Sequence, residues 1–354
     1  MSGAHTDLSK HFRFPRNNDL NLRITHRCTL PFNTLSINFE GKCFLCHCEP
    51  FLPVSIGDIE SFDSFESIWN HPVAKAIQQD VSDLKYTQCA VDRCGILHNN
   101  MRKPRYAIHI NIDQSCNLRC PSCRKGTIMH TYGDVFDLNH RRAIHITNLL
   151  NKFDHPCDIV MSGNGDPLAS LIMRPIVYDL HLKQNQNITL FTNGLMLKHH
   201  LPKSKIISSI NKYQISIDAG SKEVYESVRL GGTFDSLIEN LDFLRETIDS
   251  MSHESTVLLF FCCQQKNYHD MENFIDLCNK YGFKGTITKL ENWYTWEGSD
   301  YLKQDVIGNV NHQEHSMAFE TLTRIYDNPE TRKFLHSYLQ LLVENRKKSH
   351  CLGM

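Results

Sequence analysis

Cys116-Asn117-Leu118-Arg119-Cys120-Pro121-Ser122-Cys123 spaces three cysteines as C-x3-C-x2-C, directly after Tyr106–Asp113, an apolar run that reads as a strand. The chain has fourteen cysteines in 354 residues, and one such triplet at fixed spacing is expected by chance in only about 0.02 chains of this length and cysteine content. Three thiolates on one short loop point to a metal. A structural zinc takes four protein ligands and would need a fourth from elsewhere, whereas a 4Fe–4S cluster held by three thiolates leaves one iron open to a small-molecule ligand. The loop also stands at the C-terminal end of a strand, where parallel α/β folds place their chemistry.

Outward from the triplet, strand-like runs recur at Asp158–Ser162, Ile188–Thr192, Tyr213–Asp218, Thr256–Cys262 and Gly285–Lys289. Between them lie helical spacings at Leu138–Lys152, Leu171–Leu182, Lys222–Leu230, Phe234–Ser250 and Asp270–Tyr281, with a weaker one near Leu195–Ile210. This alternation predicts an α/β fold, a parallel sheet with helices outside, either open or closed part-way into a barrel. Residues 1–105 read as a separate small cysteine-rich module, joined through Leu97–Arg105 to a repeating domain over 106–300. Residues 301–354 predict a helical extension, with helices over Gln313–Tyr326 and Pro329–Glu344 and a basic polar tail from Asn345.

The triplet after a first strand resembles the radical S-adenosylmethionine (SAM) superfamily, and the later strand ends carry the resemblance further. Met161-Ser162-Gly163-Asn164-Gly165-Asp166-Pro167-Leu168 is similar to that family's glycine-rich "GGEP" segment, with Asp where Glu is commoner. Phe191-Thr192-Asn193-Gly194 ends the third strand, and Ser216-Ile217-Asp218-Ala219 ends the fourth and leads to Tyr225, Arg229 and Gly231-Gly232-Thr233-Phe234. The resemblance implies a partial (β/α)6 TIM-like barrel, with Cys116, Cys120 and Cys123 as the catalytic cluster ligands. It also implies S-adenosyl-L-methionine contacts from Ser122, Gly163, Asn164, Gly165, Asp166, Thr192, Asn193, Ser216, Asp218 and Arg229.

Glycine lets backbone carbonyls approach the ammonium of such a cofactor. Short polar groups at a strand end suit ribose hydroxyls, and a guanidinium suits a carboxylate. Taken alone, each segment has a plainer reading: Gly163–Pro167 as a turn, Asp218 as a helix cap, Arg229 as a solvated surface arginine. The position between the second and third cysteines, often aromatic in the family, is Ser122 here.

A second cysteine set, Cys28, Cys43, Cys46, Cys48, Cys89 and Cys94, lies in the N-terminal region. Thr34–Cys48 reads as a hairpin turning at Glu40-Gly41-Lys42, whose returning strand would put Cys46 and Cys48 on one face and Cys43 on the other. With Pro31, Gly41, Gly57-Asp58-Ile59 and Phe65-Glu66-Ser67-Ile68-Trp69, the set resembles the auxiliary-cluster module called SPASM or twitch, placed before the barrel instead of after it. That implies an auxiliary 4Fe–4S cluster on Cys28, Cys46, Cys89 and Cys94, with Cys48 as the alternate ligand. Four thiolates suit a structural zinc equally well. Trp69 is expected in the core, and Cys157, Cys262 and Cys263 as small buried hydrophobes.

Lys and Arg number 38 against 39 Asp and Glu. So even a balance offers no basic face of the kind that nucleic acid binding requires. The longest apolar run, Val257–Cys263, is far short of the ~20 residues of a membrane span. The first 25 residues hold no apolar signal segment, and residue 2 is Ser, so a soluble, cytoplasmic protein is expected. In such a compartment clustered thiols hold metal more often than they form disulfides.

The resemblance therefore implies an enzyme that reductively cleaves S-adenosylmethionine to a 5′-deoxyadenosyl radical, which takes hydrogen from a substrate. A peptide or protein substrate is expected, with a small molecule as the alternative, and an electron donor such as flavodoxin or ferredoxin. The competing class is a zinc-ribbon binding protein with a catalytically silent barrel.

Overall fold

The computed structural model describes residues 27–47, 49–91, 94, 105–251, 253–292 and 295–352, with side chains through Lys348. Its strands are β1 (Thr34–Ile37), β2 (Lys42–Phe44), β3 (Gly57–Asp58), β4 (Tyr106–Ile110), β5 (Cys157–Met161), β6 (Gln186–Thr192), β7 (Ile210–Ser216), β8 (Thr256–Cys263) and β9 (Lys284–Lys289). By contact the chain divides into two compact units. One holds the residues up to Gln114 with His130–Asn164 and Leu171–Ile188; the other holds Ser115–Met129, Gly165–Ser170 and the chain from Thr189.

In the first unit the strand order is β3-β2-β1-β4-β5. The expected hairpin forms as β1 and β2, antiparallel with Ile37 opposite Cys43. Its first strand then runs parallel to β4, Leu35 beside Ile108, and β4 runs parallel to β5, Ile108 beside Ile159. The hairpin of the cysteine-rich stretch is thus hydrogen-bonded to the first strand of the repeating part.

Leu35, Ile37, Ile108, Ile110, Ile159 and Met161 are fully buried, each such side chain contributing about 1.5–3 kcal/mol. The helix Asp134–Lys152 buries Ala143, Ile146 and Leu150, spaced three or four apart, and starts with Asp134 and Asp137 against its N-terminal dipole. Trp69 is a core anchor: its ring lies 4.9 Å from Tyr106 and its Nε1–H donates to the Thr34 carbonyl.

In the second unit β7, β8 and β9 are parallel, with Ile215 beside Leu259 and Phe261 beside Ile287. Along β8 the side chains of Val257, Leu259, Phe261 and Cys263 are buried while Leu258, Phe260 and Cys262 alternate to a half-open face. Phe234–Ser250 is helical over the span read from sequence, capped by Thr233, whose Oγ1 accepts from Ser236 N–H. The six strand regions and their α/β alternation match the expected class.

Three expectations are corrected. The helix read over Leu171–Leu182 is only Arg174–Asp179, because Pro175 fixes its first turn and Leu180 is already extended. Pro329–Glu344 is broken into Pro329–Arg332 and Ser337–Leu352. Between them Ile287 N–H donates to Phe334 O and His336 N–H to Ile287 O, so the chain leaves helix to pair with β9. The tail from Asn345 is consequently helical. Third, β2 ends at Phe44, so Cys46 lies past the strand and alternation along it does not orient that side chain. Cys48, residues 1–26 and most of the Leu97–Arg105 stretch lie outside the described residues.

Candidate metal centre and cofactor site

The triplet loop belongs to the second unit and is closed by backbone bonds. Cys116 N–H donates to Ile128 O, Arg119 N–H to Leu230 O, and Cys123 N–H to Cys120 O. Thr295 Oγ1 donates to the carbonyls of Ser122 and Cys123, at 3.4 and 3.2 Å. Gly231 beneath the loop has φ +98°, and a Cβ there would come within 3.3 Å of Asn117 O. Only glycine satisfies both conditions without strain.

Each sulfur of the triplet receives an N–H donor from a different side chain. Asn193 Nδ2 donates to Cys116 Sγ at 3.7 Å, Arg229 Nη1 to Cys120 Sγ at 3.5 Å, and Arg124 Nη2 to Cys123 Sγ at 3.7 Å. Cys116 and Cys120 are buried and Cys123 is exposed. Burial pushes the Cys116 and Cys120 thiols above their ordinary value; Asp166 adds to this at Cys116, and Arg229 opposes it at Cys120. A bound cation would reverse that balance and hold them as thiolates.

Arg229, a surface residue on the plainer reading, is buried. Its Nη1 lies 3.2 Å from Asp218 Oδ2. Burial alone would lower its pKa, but the Cys120 sulfur and Asp218 hold it above the ordinary guanidinium value. Asp218, at φ +56°, also accepts from Cys262 N–H through Oδ1 at 2.8 Å, while Asn267 Nδ2 donates to its carbonyl. Arg229 Nε and Tyr225 Oη are buried without a hydrogen-bond partner. Among the described residues no three His, Cys, Asp or Glu side chains stand together as ligands of a single metal ion; three thiols on one loop, an N–H on each sulfur and two buried polar atoms left over fit a thiolate-held cluster with a polar ligand beside it.

Asp166 joins this group through β6. Its Oδ2 accepts from Asn193 N–H and Thr192 Oγ1, and its Oδ1 from the N–H groups of Leu168 and Ala169. Burial raises its carboxyl above the usual range against the pull of those bonds. Ser216 is half-buried at the end of β7. Ser162, Gly163 and Asn164 belong to the first unit, where Ser162 Oγ donates to Asn111 Oδ1 and a Cβ on Gly163 would meet Asp113 O at 3.3 Å. Sequence reasoning missed Thr295, Asn117 and Arg124; no pattern marks Thr295, which reaches the loop from more than 170 positions away.

In the first unit Cys28, Cys46, Cys89 and Cys94 line one small cavity with Leu45 and Tyr86. Burial pushes Cys28 up to about 11, and Cys89 is raised by burial and by its three sulfur neighbours. Cys28 N–H donates to Tyr86 Oη at 3.0 Å, and Cys46 Sγ lies 3.6 Å from His47 Nδ1. Tyr86 is another residue the sequence did not reveal, held at φ +52° with its ring fully buried. Cys43 is buried beside Asp58, apart from the cavity lining, and burial pushes it up to about 12.

Residues 110–278 match the Radical SAM superfamily, and residues 28–95 match an iron–sulfur cluster-binding domain, SPASM. A probable GTP 3′,8-cyclase of Methanococcus maripaludis (strain C5) is 21% identical over 238 residues, covering 67% of this chain and 73% of the relative. That of Methanocaldococcus jannaschii is 23% identical over 182 residues, covering 50% and 56%. The crystal structure of Streptococcus suis SuiB bound to precursor peptide SuiA gives a TM-score of 0.41 at 14% identity, covering 77% of this chain. The chain spans 54% of that structure's length. Among the described residues no helix is long and apolar enough to cross a membrane.

Proposed function

The chain belongs to the radical SAM superfamily and carries an SPASM domain ahead of the superfamily region, and on that premise we propose that it modifies a peptide or protein substrate. The family implies a 4Fe–4S cluster with S-adenosylmethionine, and the SPASM domain an auxiliary iron–sulfur cluster. When bound, the first pair supplies one-electron cleavage of the cofactor and a 5′-deoxyadenosyl radical able to take hydrogen from carbon.

In this reading Cys116, Cys120 and Cys123 hold the catalytic cluster, and Cys28, Cys46, Cys89 and Cys94 the auxiliary one. The observation that carries it is the separate N–H donor on each triplet sulfur. Inert thiols have no use for such a set, whereas hydrogen bonds to ligand sulfurs set a cluster's potential. Arg229, with its Nε left unpartnered, would take the cofactor carboxylate, and the backbone of Gly165 its ammonium. Because Asp218 already accepts from Arg229 and Cys262, the ribose falls to Ser216. Thr295 holds the loop by its carbonyls.

The peptide substrate rests on the auxiliary module, whose relatives commonly modify peptides. A second reading, a nucleotide-sized substrate, is favoured by the name shared by the two curated relatives above. The electron donor we propose is a flavodoxin or a ferredoxin. The test is anaerobic reconstitution with dithionite as reductant. Release of 5′-deoxyadenosine that is lost on changing Cys116, Cys120 and Cys123 together to Ala supports the radical reading; undiminished release refutes it. Deuterium passing into 5′-deoxyadenosine from labelled GTP, and not from labelled peptides, would decide for the nucleotide.

A further inference from the structure

We propose that Asp166 is a positioning residue for the catalytic cluster, holding Asn193 so that its amide donates to Cys116 Sγ. This rests on the reading of the triplet as a cluster site, and it gives the acidic residue of the glycine-rich segment a role toward a ligand sulfur instead of toward S-adenosylmethionine.

The carboxylate has its acceptor positions filled by the protein. Oδ2 takes Asn193 N–H at 2.6 Å and Thr192 Oγ1 at 2.8 Å; Oδ1 takes Leu168 N–H at 2.9 Å and Ala169 N–H at 3.2 Å. Two oxygens offer about four lone-pair sites, so none remains for a ligand ammonium. The Asp166 N–H itself donates to Ser115 O at 2.8 Å, one residue before Cys116. One residue thereby ties the start of the triplet loop, its own turn and the end of β6.

Asn193 carries the effect onward. Its Oδ1 accepts from Leu195 N–H at 3.0 Å, which fixes which way the amide faces. Nδ2 then donates to Asn117 Oδ1 at 2.8 Å and to Cys116 Sγ at 3.7 Å. Asn193 is 6% exposed and Asp166 3%, so water cannot replace a lost bond without entering the site. Chain length matters as well. A glutamate would push the carboxylate about 1.5 Å further along, beyond what these bonds tolerate, which accounts for Asp at a position where the family more often has Glu.

An N–H···S bond to a ligand thiolate favours the reduced cluster and raises its potential. The experiment uses the full chain reconstituted anaerobically. It measures iron content, the reduced cluster's EPR signal, its midpoint potential and S-adenosylmethionine affinity; on the metal-free chain it measures alkylation of Cys116 against Cys120 by mass spectrometry. Asp166→Asn sets an NH2 group against donors, and Asn193→Leu deletes the amide while leaving Asp166 its own turn.

Asn193→Leu is expected to move the potential to more negative values, and both variants to alter the EPR signal; in Asp166→Asn the removed negative charge beside Cys116 opposes the lost N–H donor, so its shift is smaller. In Asn193→Leu, Cys116 alkylation should fall about fivefold, the weight of one lost hydrogen bond, because the amide N–H had favoured the reactive thiolate, with Cys120 little changed. Cofactor affinity should stay within about twofold, and Asp166→Asn added to Asn193→Leu should move the potential no further negative. Affinity lost with the potential unmoved would overturn the proposal and return Asp166 to cofactor binding. If Asp166→Asn does not fold, an unmoved potential and unmoved Cys116 reactivity in Asn193→Leu overturn it by themselves. A wild-type chain that loads no cluster on the triplet would instead refute the cluster reading beneath it.

Discussion

Replacing Arg229 by Leu removes the only cation that the structure places against both Asp218 and Cys120 among the described residues. The Arg229 and Asp218 side chains are 9% and 6% exposed, 3.2 Å apart. Removing one partner of such a pair costs about 3–5 kcal/mol, because the remaining charge stays buried and uncompensated. Asp218 keeps its bond from Cys262 N–H, which places Arg229→Leu near the lower end, about 3 kcal/mol. Asp218→Asn strands the guanidinium beside a neutral thiol in the metal-free chain, and about the same loss is expected. The double variant strands nothing, so it should be at least about 2 kcal/mol more stable than the sum of the single losses predicts.

The assay is urea unfolding of the four metal-free proteins under reducing conditions, followed by circular dichroism and tryptophan fluorescence, with coincident transitions required before energies are assigned. After cluster loading the order should split. Arg229→Leu then retains less iron than Asp218→Asn, since Cys120 has become a thiolate that loses its donor. Losses that add to within about 0.5 kcal/mol would refute the coupled pair, and equal iron retention would refute the link to Cys120.

Three other outcomes are expected. Cys89→Ala/Cys94→Ala should lose about half the iron, by the cluster stoichiometry, and still cleave S-adenosylmethionine; loss of zinc with all iron kept would make the N-terminal site structural. Gly231→Ala, at φ +98° with Asn117 O 3.3 Å from the new Cβ, should destabilise the metal-free chain by about 1–3 kcal/mol and slow cluster loading, which parallel unfolding and iron-uptake curves would detect. Burial pushes Cys157 from 9.0 up to about 12, so its thiolate fraction at pH 8 is about one in ten thousand and iodoacetamide should label it only after denaturation. The same shift makes stability fall as pH rises from the unfolded value toward the folded one, because the unfolded chain releases that proton first. Native labelling of Cys157 at the denatured rate would contradict its burial.

The parts of this protein legible from sequence are those set by local pattern. Alternation along Val257, Leu259, Phe261 and Cys263 places β8 without reference to its neighbours, and the triplet spacing needs only eight residues. Legibility stops where a distant backbone competes. The break at Phe334–His336 comes from two hydrogen bonds to Ile287, which no propensity within Pro329–Glu344 encodes. Cys46 belongs with Cys28, Cys89 and Cys94 for a similar reason: the chain turns after Phe44, and the cavity, not strand alternation, aims the thiol.

Asp166 marks the boundary most clearly. Its presence in a glycine-rich turn is visible in sequence, but its partners are one residue before Cys116, two residues within its own turn and two at the end of β6. Motif comparison sees the carboxylate and assigns it to the cofactor, since a motif records residue type and not which lone pairs are occupied. With those lone pairs filled, Asp166 acts on Asn193, and through Asn193 on a sulfur. A side chain's role at such a site follows from the hydrogen-bonding capacity it has left, and for Asp166 the protein has used it.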